Sequence, residues 1–318
     1  MTFRVGIIGL GIMGRRMLSN MLAHEAFEVV AVFDPKRTTP DLPYTESAES
    51  LIADTIVDLV YIACPPSYHP DYAMCAAQSG KPVFCEKPLG VDLLQSENLV
   101  AAIESMSALN AVNFSFAASP SRTFLKSLLS KNTLGTINSI DIRLHFASWP
   151  RGWQETASWL GERQQGGYVR EVLSHFIYLT ESVFGPSRIE EAMVRYPDGD
   201  DGIAAESHVF ADLSCNDFPI SVAGGVGGTG PDQIEYTVWG QKQSVRLDDW
   251  YTVYLSDGQT WHPAAADFDE LKGDIRQIGR VRQLDNLAQF MQGMPHELPD
   301  FQAAFSVQRV IEGILRRN

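Results

Sequence analysis

Basic residues are in short supply here: 25 lysines and arginines stand against 39 aspartates and glutamates, a formal net charge of −14. A surface that grips nucleic acid or an anionic membrane needs a basic patch, so this balance argues against both partners. Cysteine is scarcer still. Cys64, Cys75, Cys85 and Cys215 make no C-x-x-C pair and no metal-ligand spacing, so no metal site is expected. They read as small buried hydrophobes kept reduced in a cytosol. No apolar run is long enough for a membrane span. The chain passes from Met1 into its first strand without a basic segment and a separate apolar segment ahead of it, as expected of a cytoplasmic protein. Repeats and low-complexity linkers are missing as well.

What remains is the composition of an ordinary globular protein, 45% hydrophobic and 20% charged over 318 residues. That length allows two domains with separate cores. The most informative stretch comes first. Phe3-Arg4-Val5-Gly6-Ile7-Ile8 is an apolar run that feeds into Gly9-Leu10-Gly11-Ile12-Met13-Gly14, with a helical pattern directly after it. A second apolar run, Val29–Phe33, delivers Asp34 at its end. Strand, G-x-G-x-x-G turn, helix, strand and acid together form the dinucleotide fingerprint. In it Gly9 permits the tight turn, Gly11 lets the backbone approach a pyrophosphate, and Gly14 lets the helix pack closely on the strand. The helix N-terminus offers the phosphates free N–H groups and a positive dipole end.

Residues 1–118 continue as strand–helix units. A helix from about Met13 to Ala23 carries Met13, Met17 and Met21 as core filling. Leu59–Ala63 is a buried parallel strand ending in Cys64-Pro65-Pro66. Pro82–Cys85 is another, ending in Glu86-Lys87-Pro88. Asp92 caps a helix running to about Leu109, and Ala111–Phe116 reads as the sixth strand. The alternation predicts an α/β fold, a doubly wound parallel sheet with its ligand at the strand C-termini. Residues 119–318 change character. Ile137–Phe146, Ile189–Tyr196, His208–Leu213, Phe218–Ala223, Gln233–Gly240, Ser244–Leu247 and Trp250–Leu255 are strand-like, as in a large, mainly antiparallel sheet. One long helix, about Gly167 to Phe184, interrupts them, and a final helix follows Pro299-Asp300. Gly224–Gly230 reads as a connection between strands. This second part is an α+β domain.

Two groups of residues suit chemistry. Lys87 lies where a parallel strand ends, and a cis Lys87–Pro88 bond would aim its ammonium inward; a solvated lysine beside a turn proline is the plain alternative. Glu171 and His175 are one helical turn apart, and a carboxylate beside a histidine raises its basicity and orients its ring. Such pairs are also common as surface contacts.

With these residues in view, the chain resembles the glucose–fructose oxidoreductase / inositol dehydrogenase / MocA family over nearly its whole length. The resemblance lies in the fingerprint, Pro65-Pro66 followed by His69, the E-K-P motif, Leu134-Gly135-Thr136-Ile137, and the Gly166-Gly167…His175 helix. It implies a Rossmann domain holding NAD or NADP, and an α+β domain that supplies a substrate wall and often a dimer interface. It further implies that Lys87 and His175, with the acid at position 171, line the reaction centre. The sequence departs from the pattern in three places. Glu171 replaces a usual aspartate, Ala117 stands where many members have an arginine, and Arg170 replaces an apolar residue.

The candidate cofactor contacts are Gly9, Leu10, Gly11, Ile12, Met13, Gly14, Asp34, Lys36, Arg37, Cys64, Pro65, Pro66, His69, Glu86 and Lys87. Asp34 favours NAD, because a carboxylate accepts the ribose 2′-OH; Lys36 and Arg37 could instead pair with the 2′-phosphate of NADP. Substrate contacts are expected from Lys87, Trp149, Arg151, Trp153, Arg170, Glu171 and His175, with aromatic faces stacking on a carbohydrate-like ring. The expected reaction passes a hydride between the nicotinamide and a secondary alcohol or ketone of a sugar, polyol or related cyclic compound. In it His175 takes the hydroxyl proton, Lys87 binds the reacting oxygen or shares the proton, and Glu171 orients the pair. A homodimer or homotetramer is implied by the resemblance. Two alternatives stay open: a redox-neutral, glycosidase-like enzyme that retains its NAD, and a non-catalytic nucleotide-binding sensor.

Overall fold

The computed structural model describes residues 1–36, 41–199, 201–266 and 268–317. Its contacts divide into two compact units, Met1–Phe114 with Val281–Gln308, and Ser115–Arg280 with Arg309–Asn318. The division is therefore not a single cut, because a late segment of the chain returns to the first unit.

The first unit alternates strictly: β1 (Phe3–Ile8), α1 (Ile12–Leu22), β2 (Phe27–Phe33), α2 (Ala48–Ala53), β3 (Leu59–Ile62), α3 (His69–Gln78), β4 (Val83–Glu86), α4 (Leu93–Ser105) and β5 (Asn110–Asn113). The strands lie in the order β2-β1-β3-β4-β5, and every pair is parallel. Every residue of β3 and β4 is buried, as a strand covered on both faces requires. Met17 and Met21 fill the core beneath α1, while Met13 is half-buried. The chain leaves β1 to one side and returns to the other as β3. The ends of β1 and β3 are thus the switch point at which such sheets bind ligands.

This sheet has five strands, so Ala111–Phe116 contains the fifth and not the sixth. The strand also stops at Asn113, because the Phe114 N–H turns back to the carbonyl of Val112. Beyond β2 the described residues add only an isolated Val32–Tyr44 bridge. On β5, the Val112 N–H donates to the Pro299 carbonyl at 2.8 Å, which ties the returning segment into the first unit.

The second unit is built on α5 (Pro120–Ser130), β6 (Ile137–Phe146), a π-helical turn over Val169–Leu173, α6 (Ser174–Phe184), β7 (Ser187–Arg195), β8 (His208–Cys215), β9 (Phe218–Val226), β10 (Gln233–Gly240), β11 (Val245–Asp248), β12 (Thr252–Ser256) and β13 (Trp261–Pro263). Helices α7 (Ile275–Met291) and α8 (Phe301–Leu315) close the chain. Eight strands run in the order β13-β12-β11-β10-β6-β9-β8-β7, with β6–β9 the one parallel pair. In β6, Ile140, Ile142, Leu144 and Phe146 are buried while Arg143 and His145 are exposed, so the sheet has an inner and an outer face. The inner face takes α6, where Phe176 stacks on Tyr236 at 5.9 Å.

Several expectations change here. The second unit has α5 as well as the helix that was expected, and a π-turn opens what reads as one continuous helix. Strand β12 begins at Thr252 and not at Trp250, because Asp249 and Trp250 take left-handed φ values of 46° and 75°. Gly224 and Gly225 belong to β9 and not to a connection. A Cβ on Gly224 would come within 2.8 Å of the Tyr168 ring, so the side-chain-free strand makes room for that ring. No helix among the described residues is long and apolar enough to cross a membrane.

Candidate active site

The glycine turn leaves β1 at Ile8. Gly9 has φ +96°, and a Cβ there would lie 2.6 Å from the Cys64 nitrogen, so this crossing beside the end of β3 needs glycine. A Cβ on Gly14 would strike the Gly9 carbonyl, which fixes how closely α1 packs on the turn. At Gly11 the same atom would meet nothing within 4 Å. No side chain caps α1 and its first turn carries no acid, so Gly11, Ile12 and Met13 present open backbone at a positive dipole end. That open, acid-free cradle fits a diphosphate. Asp34, at the end of β2, accepts the Leu10 N–H at 2.7 Å on Oδ2 and the Lys36 N–H at 2.8 Å on Oδ1. Turn and acid are therefore one hydrogen-bonded assembly. Arg37 lies outside the described residues.

The ends of β3 and β4 meet through His69. Its Nδ1 is 2.8 Å from the Pro88 carbonyl oxygen and its Nε2 2.8 Å from that of Cys64. Both ring nitrogens thus face backbone, and His69 clamps the two strand ends together. Burial holds its pKa below the usual value, and a neutral ring donates to one carbonyl at a time. Pro65 leads into a short 3₁₀ turn at Pro66–Tyr68, and burial raises the Cys64 thiol to about 12. The Lys87–Pro88 bond is cis, and Lys87 itself is buried. Glu86 points into the unit. Its Oε1 accepts the Tyr61 hydroxyl at 2.5 Å and the Asn113 amide at 2.5 Å. The Gln283 amide donates in turn to Asn113 Oδ1. Burial keeps the Tyr61 phenol well above its ordinary pKa, so it stays a donor. This buried chain of four side chains anchors the segment that carries Lys87.

In the second unit the Gly166-Gly167 pair begins the π-turn. Gly167 has φ +94°, and a Cβ on it would fall 2.2 Å from Glu206 Oε2. Glu206 is buried and accepts the Val169 N–H at 2.7 Å, capping the turn from a distant loop. Burial raises its pKa to about 7, with Val169 and Arg170 opposing the shift. Arg170, expected to face the substrate, is committed to the interior instead. It pairs with Glu312 through Nε at 2.6 Å and Nη2 at 2.9 Å, and Nη1 donates to the carbonyls of Arg163 and Gly166. At the Ala117 position the carbonyl accepts Arg122 Nη1 at 2.6 Å, so a buried arginine reaches this segment from α5.

The π-turn over Val169–Leu173 carries Glu171, and α6 with His175 follows directly from it. Glu171 Oε1 faces the Gln154 amide at 3.5 Å, and Gln154 Oε1 accepts Arg151 Nε at 2.9 Å. Gln154, Ser115, Trp250 and Glu206 went unnoticed in the sequence. Ser115 and Trp250 fell inside runs that read as strands, Ala111–Phe116 and Trp250–Leu255. The guanidinium of Arg151 lies 4.8 Å from the Trp153 ring centroid and 5.4 Å from that of Trp149. Trp149 anchors itself through Nε1 to the Leu160 carbonyl, whereas Trp153 is 52% exposed. Among the described residues no group of three His, Cys, Asp or Glu side chains could hold a metal ion.

A glycine cradle, an uncapped helix and a strand-end acid define the first unit as a dinucleotide-binding α/β domain. The chain belongs to the Gfo/Idh/MocA oxidoreductase family: residues 3–114 match the model of its NAD-binding Rossmann fold, and residues 126–317 that of its C-terminal alpha/beta domain. An oxidoreductase of Formosa agariphila is 30% identical over 149 residues, 45% of each chain. Inositol 2-dehydrogenase of Agrobacterium fabrum is 32% identical over 114 residues, 32% of this chain and 33% of its own. The chain thus spans less than half the length of these curated relatives. The WlbA dehydrogenase of Bordetella pertussis, solved with NADH and UDP-GlcNAcA, shares the fold at a TM-score of 0.84 and 20% identity, over 99% of this chain and 95% of that one.

Proposed function

We propose that the protein is an NAD(P)-dependent dehydrogenase or reductase acting on a secondary alcohol or ketone of a sugar, polyol or related cyclic compound. The observation that carries this reading is Lys87, buried at the end of β4 in the same unit as the nucleotide cradle. Bound NAD supplies a two-electron hydride acceptor. The chain's own residues bind the substrate and manage its proton. Lys87 and His175 are assigned to the reacting oxygen, and Glu171, held by Gln154, to their orientation. Trp153 and Arg151 offer an exposed aromatic face and a cation to a carbohydrate ring. Asp34 favours NAD over NADP. The free cysteines suit a cytoplasmic setting, and the outer face of the eight-stranded sheet is the surface assigned to a homodimer or homotetramer.

The test is the near-UV absorbance of reduced nicotinamide, with NAD⁺ or NADP⁺ and a panel of sugars, polyols and cyclic alcohols. A rise with one substrate group supports the dehydrogenase. A flat trace with cofactor bound shifts the reading to a redox-neutral enzyme or a sensor. Lys87→Ala is expected to lower turnover about 100-fold or more while leaving the cofactor Kd within a few-fold. Unchanged turnover would remove Lys87 from the mechanism.

A further inference from the structure

The register of the eight-stranded sheet sets five residues in one row across β10, β6, β9, β8 and β7: Gln233, His145, Gly225, His208 and Arg195. Residues in register on neighbouring strands point to the same face, so two imidazoles flank a position that has no side chain. A Cβ on Gly225 would lie 3.3 Å from His145 Nδ1 and 3.4 Å from His208 Nε2. Gly225 has no left-handed φ and sits in regular strand, so backbone conformation does not demand glycine there. What the glycine does is keep open a notch that both rings border.

Each ring has its other nitrogen tied down, and the ties fix where its proton sits. His145 Nε2 is 2.7 Å from the Gly227 carbonyl oxygen, which only accepts, so Nε2 is protonated and donates. In the neutral ring Nδ1 then keeps its lone pair. Ser207 Oγ donates its one hydrogen to the Arg195 carbonyl at 3.1 Å. Toward His208 Nδ1, 3.2 Å away, that hydroxyl can only accept, so Nδ1 carries the proton and Nε2 the lone pair. Two lone pairs therefore border one notch. An imidazole whose second nitrogen donates to an oxygen is the arrangement in which histidine ligates a metal.

We propose that His145 and His208 form a binding site for a divalent transition-metal ion of the zinc type, seated in the notch over Gly225 and ligated by His145 Nδ1 and His208 Nε2. Zinc–imidazole bonds are about 2.1 Å long, so each ring closes on the notch by roughly 1 Å, a small torsional swing on an exposed face. Imidazole suits zinc, copper and nickel, whereas magnesium and calcium require oxygen ligands. Two protein ligands leave further coordination positions to water, so the site is open and not a closed structural centre. That agrees with the lack, among the described residues, of any three-residue metal cluster. The net charge of −14 draws cations to the chain, while Arg195 in the same row and Arg143 on β6 oppose them locally. The two ligands come from β6 and β8, so no sequence spacing announces the pair. The site lies within the second unit and is independent of the dehydrogenase reading.

Isothermal titration of the tag-free protein with ZnCl₂ tests the site, in a non-chelating buffer at slightly alkaline pH where the rings are neutral. Saturable binding with a Kd of about 100 µM or tighter is expected. His145→Ala and His208→Ala are each expected to weaken it about tenfold or more. His262→Ala, which removes an exposed histidine of β13, is expected to leave it unchanged. Gly225→Ala removes no ligand but fills the notch, and is expected to weaken binding as the histidine variants do. Absence of saturable binding, parent affinity in either histidine variant or in folded Gly225→Ala, or loss of binding in His262→Ala overturns the proposal. Thermal midpoints in EDTA report whether each variant is folded. Should Gly225→Ala fail to fold, the two histidine variants decide.

Discussion

At the scale of single residues, Asp34 is the most exposed to a quantitative test. Among the described residues, its two carboxylate oxygens accept the backbone N–H groups of Leu10 and Lys36, and a carboxylate oxygen with two lone pairs can also accept a ribose hydroxyl. A 2′-phosphate brought to the same place would meet a like charge. Asp34→Asn keeps an acceptor for the Leu10 N–H while removing the charge. The ratio of NADPH to NADH dissociation constants, read by fluorescence titration, is expected to fall about tenfold, the effect of roughly 1.4 kcal/mol. An unchanged ratio would place discrimination elsewhere, with Lys36 the nearest candidate. The fingerprint and Asp34 were legible because the motif is local, with every part within one strand–helix–strand unit. The partners of the second unit were not. Ser115 and His175 are 60 residues apart, and Val169 and Glu206 are 37 apart, so nothing in a single sequence joins them.

At the scale of elements, the π-turn is the feature with most consequence, and Glu206 holds its start. Its pKa of about 7 stands above the ordinary 4.5, so between those values the folded protein binds more protons than the unfolded chain. Stability contributed by this group is complete below about pH 4.5, falls as pH rises toward 7, and is level above that. The loss approaches about 3 kcal/mol for a shift of this size. Glu206→Gln keeps an acceptor for Val169 and removes the titration. Its stability relative to the parent is expected to rise across that window in urea unfolding at several pH values; a constant difference would contradict the assignment. Strand β6 was readable because it alternates cleanly from Ile140 to Phe146. Helix α7 escaped because Arg276, Gln277, Arg280, Arg282 and Gln283 dilute its apolar stripe, and α5 escaped although Ser119-Pro120 marks its start. A π-turn carries the same residues as an α-turn, and sequence periodicity does not separate the two.

For the whole molecule the governing facts are a net charge of −14 and an eight-stranded sheet with an outer face that carries apolar side chains. Met193 and Phe210 sit directly opposite each other on β7 and β8, 42% and 47% exposed. On β10, Trp239 is 39% exposed and packs on Trp261 at 5.8 Å. Two copies of so acidic a chain repel one another, so self-association through this face has to come from apolar burial and should strengthen as salt screens the charge. Phe210→Glu removes an aromatic anchor and adds a like charge at the same point. Sedimentation equilibrium is expected to show the assembly's dissociation constant rising about 100-fold, corresponding to about 3 kcal/mol. The thermal midpoint of the dissociated chain should hardly move, because the side chain is already half exposed. A parent protein that sediments as a monomer at micromolar concentration would dismiss the oligomer. A variant that associates as tightly as the parent would move the contact to another surface.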